Sequence, residues 1–319
     1  MLSIWKRLGI CLAASMAVAT ANADSNPQPV EPTQSRVRPY AMEHSKQWTF
    51  RTPAGRTFEV TVALPAQPAP AGGYPVMYVL DPRTSFATLT ETARNHEWMF
   101  GPTVVVGVGY ASEAEGSNRG FDMTPPGTDP AKLPKILPGG WGAVGGAEEF
   151  ASFLLGDVRK AVAAEVSIDP HRQALFGHSL GGLFTLYVMF TRPQSFDTYI
   201  AGSPSIWWSD KVLLRELPRF QAALQKGDVE PRLLITVGGL EDRTNPEERR
   251  LLEMMKVPLE PDLAQFADMV GNARRLTTTL RDQHKVAVEL VEFAGETHNS
   301  VIPAYLARGA RFTLSRWYP

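Results

Sequence analysis

Gly177-His178-Ser179-Leu180-Gly181, with Gly182 after it, is the segment of this chain best suited to chemistry. It has the G-x-S-x-G spacing that places a serine at the tip of a sharp turn. Glycine and serine are common, so the spacing alone says little, and its setting makes it specific. The apolar run Gln173-Ala-Leu-Phe176 leads in, and a helical pattern from Gly181 to Phe190 leads out. Gly177 and Gly181 remove Cβ atoms where strand and helix come closest. The turn lifts the Ser179 hydroxyl clear of the sheet and aims helix-start N–H groups at developing negative charge.

A serine hydroxyl needs a base. Of the six histidines, His44 precedes the sheet, His96 stands beside Trp98, His171 lies in a loop and His284 ends a helical pattern. His178, inside the turn, is expected to point away and pack locally. His298, in Ala294-Gly-Glu-Thr-His298-Asn-Ser-Val, follows the last apolar run, the position and chain order in which this architecture delivers its base. The acid that orients the base should follow the preceding strand, where Gly238-Gly-Leu-Glu241-Asp242 offers two carboxylates. Glu241 is preferred and Asp242 is the alternative; a Ser179/His298 dyad without an acid is the third possibility. The oxyanion of acyl transfer needs two N–H donors. Leu180, after the nucleophile, supplies one. The loop Asp81-Pro82-Arg83 supplies the other, and Arg83 is preferred because Pro82 has no N–H.

The elements that must hold these residues follow from hydrophobic patterning. Continuous apolar runs at 75–80, 103–108, 173–176, 199–201, 232–237 and 286–293 read as strands covered on both faces, as in a parallel sheet. Helical patterns at 148–166, 181–190 and 263–284 lie between them. Alternation between 48 and 64 reads as one or two antiparallel edge strands. The result is an α/β class with a mostly parallel central sheet and helices on both faces, the α/β-hydrolase fold. Residues 111–146, rich in Gly and Pro, read as a long loop on the functional rim, and 240–262 as a lid-like excursion.

Lys6 and Arg7, the apolar stretch 8–18 and Ala21-Asn22-Ala23 form the pattern of a secretory signal peptide, 1–23, cleaved before Asp24. Residues 24–40 read as a disordered leader and 41–319 as the hydrolase domain. The expected location is therefore periplasmic or secreted, with no membrane attachment after cleavage. The sole cysteine, Cys11, lies in the signal, so the remainder has no thiol nucleophile, thiolate metal site or disulfide. The chain carries 32 basic and 33 acidic residues and no basic stripe, which argues against a nucleic-acid partner. Oligomeric state is not legible.

With these residues placed, the chain resembles the putative esterase family that holds esterase D, enterobactin-type siderophore esterases and mycolyltransferases. The resemblance is carried by Tyr78-Val-Leu-Asp81, Asn118-Arg119 through Asp122-Met-Thr-Pro125, and Gly145-Gly-Ala-Glu-Glu-Phe150. It continues through Leu175-Phe-Gly-His-Ser-Leu-Gly-Gly-Leu183, Ser203-Pro-Ser-Ile-Trp-Trp208 and Gly295-Glu-Thr-His298-Asn-Ser-Val301. It implies ester hydrolysis of a small molecule with no cofactor and no metal, and looks closest to the siderophore-esterase branch. Some members of that branch work with a dyad. The family usually has Asp-Gly where this chain has Asp81-Pro82, which bears on the second oxyanion donor. Independently, Trp207 and Trp208 after a strand end, and Arg119, are read as substrate-binding, Arg119 for an acidic or catecholate group.

Three readings follow. The first is a serine carboxylic-ester hydrolase working through an acyl-enzyme. The second is acyl transfer by the same Ser/His site, which an added alcohol acceptor would reveal. The third is a non-catalytic ligand binder on a hydrolase scaffold, which would fail to label with a fluorophosphonate.

Overall fold

The computed structural model describes residues 41–111, 118–135, 140–227, 229–254, 263–282 and 286–318. The readings of 1–23 as a signal and 24–40 as a leader lie outside these residues. In chain order the elements are β1 (Ser45–Arg51), β2 (Thr57–Ala63), β3 (Tyr74–Leu80), α1 (Pro82–Phe100), β4 (Val104–Tyr110) and α2 (Arg119–Asp122). Then come α3 (Ala147–Phe153), a π-helical turn (Leu154–Val158), α4 (Arg159–Glu165), β5 (Ile168–His178), α5 (Leu180–Thr191) and β6 (Thr198–Gly202). Beyond the short helical turns at Pro130–Lys132, Pro193–Ser195, Trp208–Lys211 and Val212–Glu216, the rest are α6 (Leu217–Lys226), β7 (Arg232–Gly238), α7 (Pro246–Met254), α8 (Leu263–Ala267), α9 (Met269–Arg281), β8 (Ala287–Phe293) and α10 (Ile302–Trp317).

The eight strands form one sheet in the order β1-β2-β4-β3-β5-β6-β7-β8. β1 and β2 pair antiparallel, as do β2 and β4; every other neighbour pair is parallel. The strand period of two sorts the core into two layers. Val76, Tyr78 and Leu80 face the layer that holds Phe150, Leu183, Phe184 and Ala273. Met77 and Val79 face the opposite layer, with Phe86 and Leu89 of α1 and Leu306 and Ala310 of α10. Helix α5 is buried at every position, so it carries no polar face.

This strand order fixes where a site can form. The chain leaves β3 for β4 on one side and then crosses back to β5 on the other. The segments after β3 and β5 therefore run to opposite faces, with α1 in one core layer and α5 in the other. A crevice opens between the carboxyl ends of these two strands, the topological switch point where open α/β sheets bind ligands. Pro82, at the first turn of α1, packs so closely over Gly109 of β4 that a Cβ there would collide with its ring.

Several expectations change in detail. The six apolar runs are all strands, but β8 is a sheet edge and only partly covered. β2 is an inner strand, so only β1 is an edge of the antiparallel pair. The helix expected over 148–166 spans α3 and α4 with the π turn between them. The helix expected over 263–284 breaks at Asp268, whose φ of 40° is left-handed, a conformation aspartate tolerates better than most residues. Within 111–146, the described residues are mostly irregular but include α2. Helices α1, α6 and α10 were not anticipated. The 240–262 excursion includes α7, and residues 255–262 lie outside those described.

Candidate active site

Ser179 sits between β5 and α5 with φ 58° and ψ −117°, a strained conformation for a residue with a side chain. The surroundings hold it there. Its N–H donates to the Gly202 carbonyl at 2.9 Å, its carbonyl accepts from Leu183 N–H at 3.0 Å, and a Cβ on Gly177 would run into the Gly181 carbonyl. Leu180 opens the helix, so its N–H has no intrahelical acceptor. The Ser179 hydroxyl lies 3.5 Å from that of Ser205.

His298 and Glu241 arrive on the loops after β8 and β7. Glu241 Oε2 stands 2.7 Å from His298 Nδ1. Its other oxygen, Oε1, accepts from Ser203 Oγ at 2.6 Å and from Gly238 N–H at 2.6 Å. Glu241 is 4% exposed, so this carboxylate is buried with all of these donors on it. Backbone bonds tie the two loops together: Gly239 N–H to Phe293 O at 2.8 Å and Leu240 N–H to Glu296 O at 3.0 Å. Asp242 points elsewhere, is partly exposed, and pairs with Arg243 at 2.6 Å. Of the two adjacent acids, the fold brings Glu241 to His298.

A cavity of about 530 Å³ opens over these residues. Its lining includes Ser179 and His298, with Asp81, Pro82, Arg83, Thr84, Gly109, Tyr110, Arg119, His178, Asn299 and Ile302. Arg83 is the second residue of α1, directly after Pro82. It borders the same space as Ser179, and Leu180 follows Ser179 directly in the chain. No cluster of His, Cys, Asp or Glu able to hold a metal occurs among the described residues.

His178 does not point away, contrary to expectation. Its ring packs 4.6 Å from that of His298 and 5.6 Å from that of Tyr305, and it lines the cavity. Burial, then the neighbouring His298 and Arg119, hold its pKa well below the usual histidine value, against a hydrogen bond with the His298 backbone. Period two from Phe176 places His178 on the α10 face of the sheet, so the signal was present in the sequence.

The three residues read as substrate-binding have different surroundings. Trp208 is fully buried, donates from Nε1 to Thr128 Oγ1 at 3.2 Å and packs 4.8 Å from Trp141. Trp207 stacks edge-on with Phe266 at 5.7 Å. Neither tryptophan lines the cavity; the pair folds the long loop onto the core, because apolar rings next to a fully buried strand end gain most by packing. Arg119 does line the cavity, but its Nε and Nη2 grip the two oxygens of Asp81 at 2.8 and 2.9 Å. Burial lowers its pKa, and the Asp81 charge and hydrogen bonds outweigh that, leaving it raised.

A mostly parallel eight-stranded sheet, a serine in a strand–turn–helix elbow and a histidine after the last strand define an α/β-hydrolase. The family model described as Putative esterase matches residues 52–265, and the chain belongs to that family. Ferri-bacillibactin esterase BesA of Bacillus subtilis is 36% identical over 270 residues, covering 81% of this chain and 85% of its own. The siderophore triacetylfusarinine C esterase of Aspergillus fumigatus is 31% identical, covering 88% and 97%. Among solved structures, the BES protein from Bacillus cereus superposes with a TM-score of 0.72 at 31% identity, covering 87% of this chain and 98% of that one. Siderophore hydrolase EstA of Aspergillus nidulans does so with 0.73 at 29% identity, covering 89% and 99%. The protein is a serine esterase.

Proposed function

We propose that Ser179, His298 and Glu241 form the catalytic triad of an esterase that cleaves ester bonds of a siderophore-type small molecule. The observation that carries the reading is the buried Glu241 carboxylate on His298 Nδ1, on the rim of the cavity that exposes the Ser179 elbow. With Nδ1–H held by Glu241, the other ring nitrogen is the one free to accept a proton.

Ser179 Oγ attacks the ester carbonyl as His298 takes its proton. The negative charge that develops on the carbonyl oxygen is met by Leu180 N–H and Arg83 N–H. As the C–O bond breaks, the leaving alkoxide takes the proton from His298, and the acyl group stays on Ser179. Water then attacks the acyl-enzyme by the same route, releasing the acid and restoring Ser179. Glu241 stabilises the imidazolium in both halves.

The substrate class rests on the relatives that span most of this chain, which are named for siderophore esters. A panel of p-nitrophenyl esters of rising acyl length, with a ferric trilactone siderophore among them, tests it; preferred turnover of the trilactone is expected. Ser179→Ala should lower kcat on every member by about 10⁴-fold or more. Retained turnover would remove Ser179 from the mechanism. We also read residues 1–23 as an export signal, so N-terminal sequencing of the exported protein should start at Asp24. Among the described residues no helix is long and apolar enough to cross a membrane.

A further inference from the structure

Arg119 touches both chain segments nominated for the oxyanion. Its Nε and Nη2 meet Asp81 Oδ1 and Oδ2 at 2.8 and 2.9 Å, and Nη2 also donates to the His178 carbonyl at 3.2 Å. Asp81 stands two residues before Arg83, and His178 two residues before Leu180. One guanidinium therefore spans the carboxyl ends of β3 and β5 and holds each segment at the same remove from its donor.

The held segments are stiff. Asp81 has a left-handed φ of 53° and Pro82 fixes the next φ, so little slack separates the carboxylate from Arg83 N–H. His178 is bonded into the strand ladder and is followed by the strained Ser179. A planar fork matched to a carboxylate fixes angle as well as distance. The Asp81 carboxylate also lies over the elbow, 3.3 Å from where a Cβ on Gly181 would stand. An anionic substrate group seeking this guanidinium would have to compete with a carboxylate already on it in two places.

We propose that Arg119 is a positioning residue that sets the separation of the two oxyanion donors, and is not the cavity's receptor for substrate charge. The inference rests on the assignment of Leu180 and Arg83 N–H as those donors. Lysine keeps the charge and loses the fork, so Arg119→Lys separates the two roles.

The test measures hydrolysis of neutral p-nitrophenyl acetate and anionic mono-p-nitrophenyl succinate. Arg119→Lys should lower kcat on both by about 10- to 100-fold, the scale of a misplaced oxyanion donor, with KM within about twofold. Fluorophosphonate should label Ser179 more slowly but to the wild-type endpoint. Binding of a trifluoromethyl ketone, whose tetrahedral adduct places an oxygen in the hole, should weaken in step with kcat/KM. Asp81→Asn should behave alike, and the double variant should be no worse than the worse single one.

A neutral-ester kcat within about twofold of wild type would overturn the proposal. So would a loss confined to KM for the succinate ester, which would make Arg119 a charge receptor. A labelling endpoint that falls in proportion to kcat in both single variants would also overturn it, since Arg119 would then only maintain the fold. If Ser179→Ala still turns over the acetate, the nucleophile assignment fails whatever Arg119 does.

Discussion

On one side of Ser179, Glu241 and His298 meet on loops bonded to each other through their backbones, with the acid buried. On the other side, the Asp81 carboxylate and the His178 carbonyl meet on one side-chain fork, that of Arg119, which reaches Asp81 across 38 residues of chain. The acid–base side is a local construction: the loops after β7 and β8 are neighbours because those strands pair, and Glu241 folds back onto Gly238 N–H three residues earlier. The proposed oxyanion side depends on Arg119, on the long loop, returning to the sheet. Backbone stitching survives most side-chain changes, whereas a side-chain clamp is lost with one residue.

The widest contrast is between the two adjacent acids. Glu241→Gln should keep volume and most hydrogen bonds but remove the charge that steadies an imidazolium, lowering kcat by about 10³- to 10⁴-fold. Asp242→Asn should change kcat by less than about threefold, as expected of an exposed pair. Equal effects in steady-state assays would mean that the acid–base side is not built on the buried carboxylate.

A smaller effect sharpens the same side. Ser203→Ala removes one of two donors on Glu241 Oε1 and leaves the Gly238 N–H in place. A fall of about tenfold in kcat is expected, near the lower limit for losing a hydrogen bond to a charged group. A fall as large as that of Glu241→Gln would show that the backbone bond alone cannot hold the acid.

The last prediction concerns His178, which borders both sides. Its folded pKa is depressed below the ordinary 6.5, mainly by burial. The unfolded chain therefore binds this proton first as pH falls. The associated stability is whole above pH 6.5 and is lost from there down toward the folded value. His178→Gln should flatten the acid limb of the stability curve by up to about 1.4 kcal/mol per pH unit, read from urea unfolding at stepped pH. An unchanged limb would show that this ring takes up its proton equally in both states.

The contrast between the sides also marks what the amino-acid sequence could reveal. Ser179 and His298 were legible because a strand–turn–helix pattern and the position after the last strand are local signals. Glu241 was narrowed to two residues, and only the direction of each side chain separates them. The clamp of Arg119 on Asp81 was not legible, since nothing in either segment names its partner. Arg119 alone reads as a free cation looking for an anion. Trp208 misled for a related reason: a tryptophan near a pocket and one beneath it look alike until burial is known. Helix α1 carried usable signals, Pro82 at its start and Phe86, Leu89 and Ala93 on one face, but its threonine-rich remainder masked the period.

The position of α10 has a consequence for the timing of activity. It begins directly after the histidine loop, places Tyr305 against His178, and packs on α1. Synthesis delivers Ser179, the proposed nucleophile, before Glu241, and Glu241 before His298. A nascent polypeptide that has already formed the elbow therefore holds a serine without a proton acceptor. On the proposed roles, hydrolysis waits until the segment that carries His298, with α10 behind it, has docked onto the elbow.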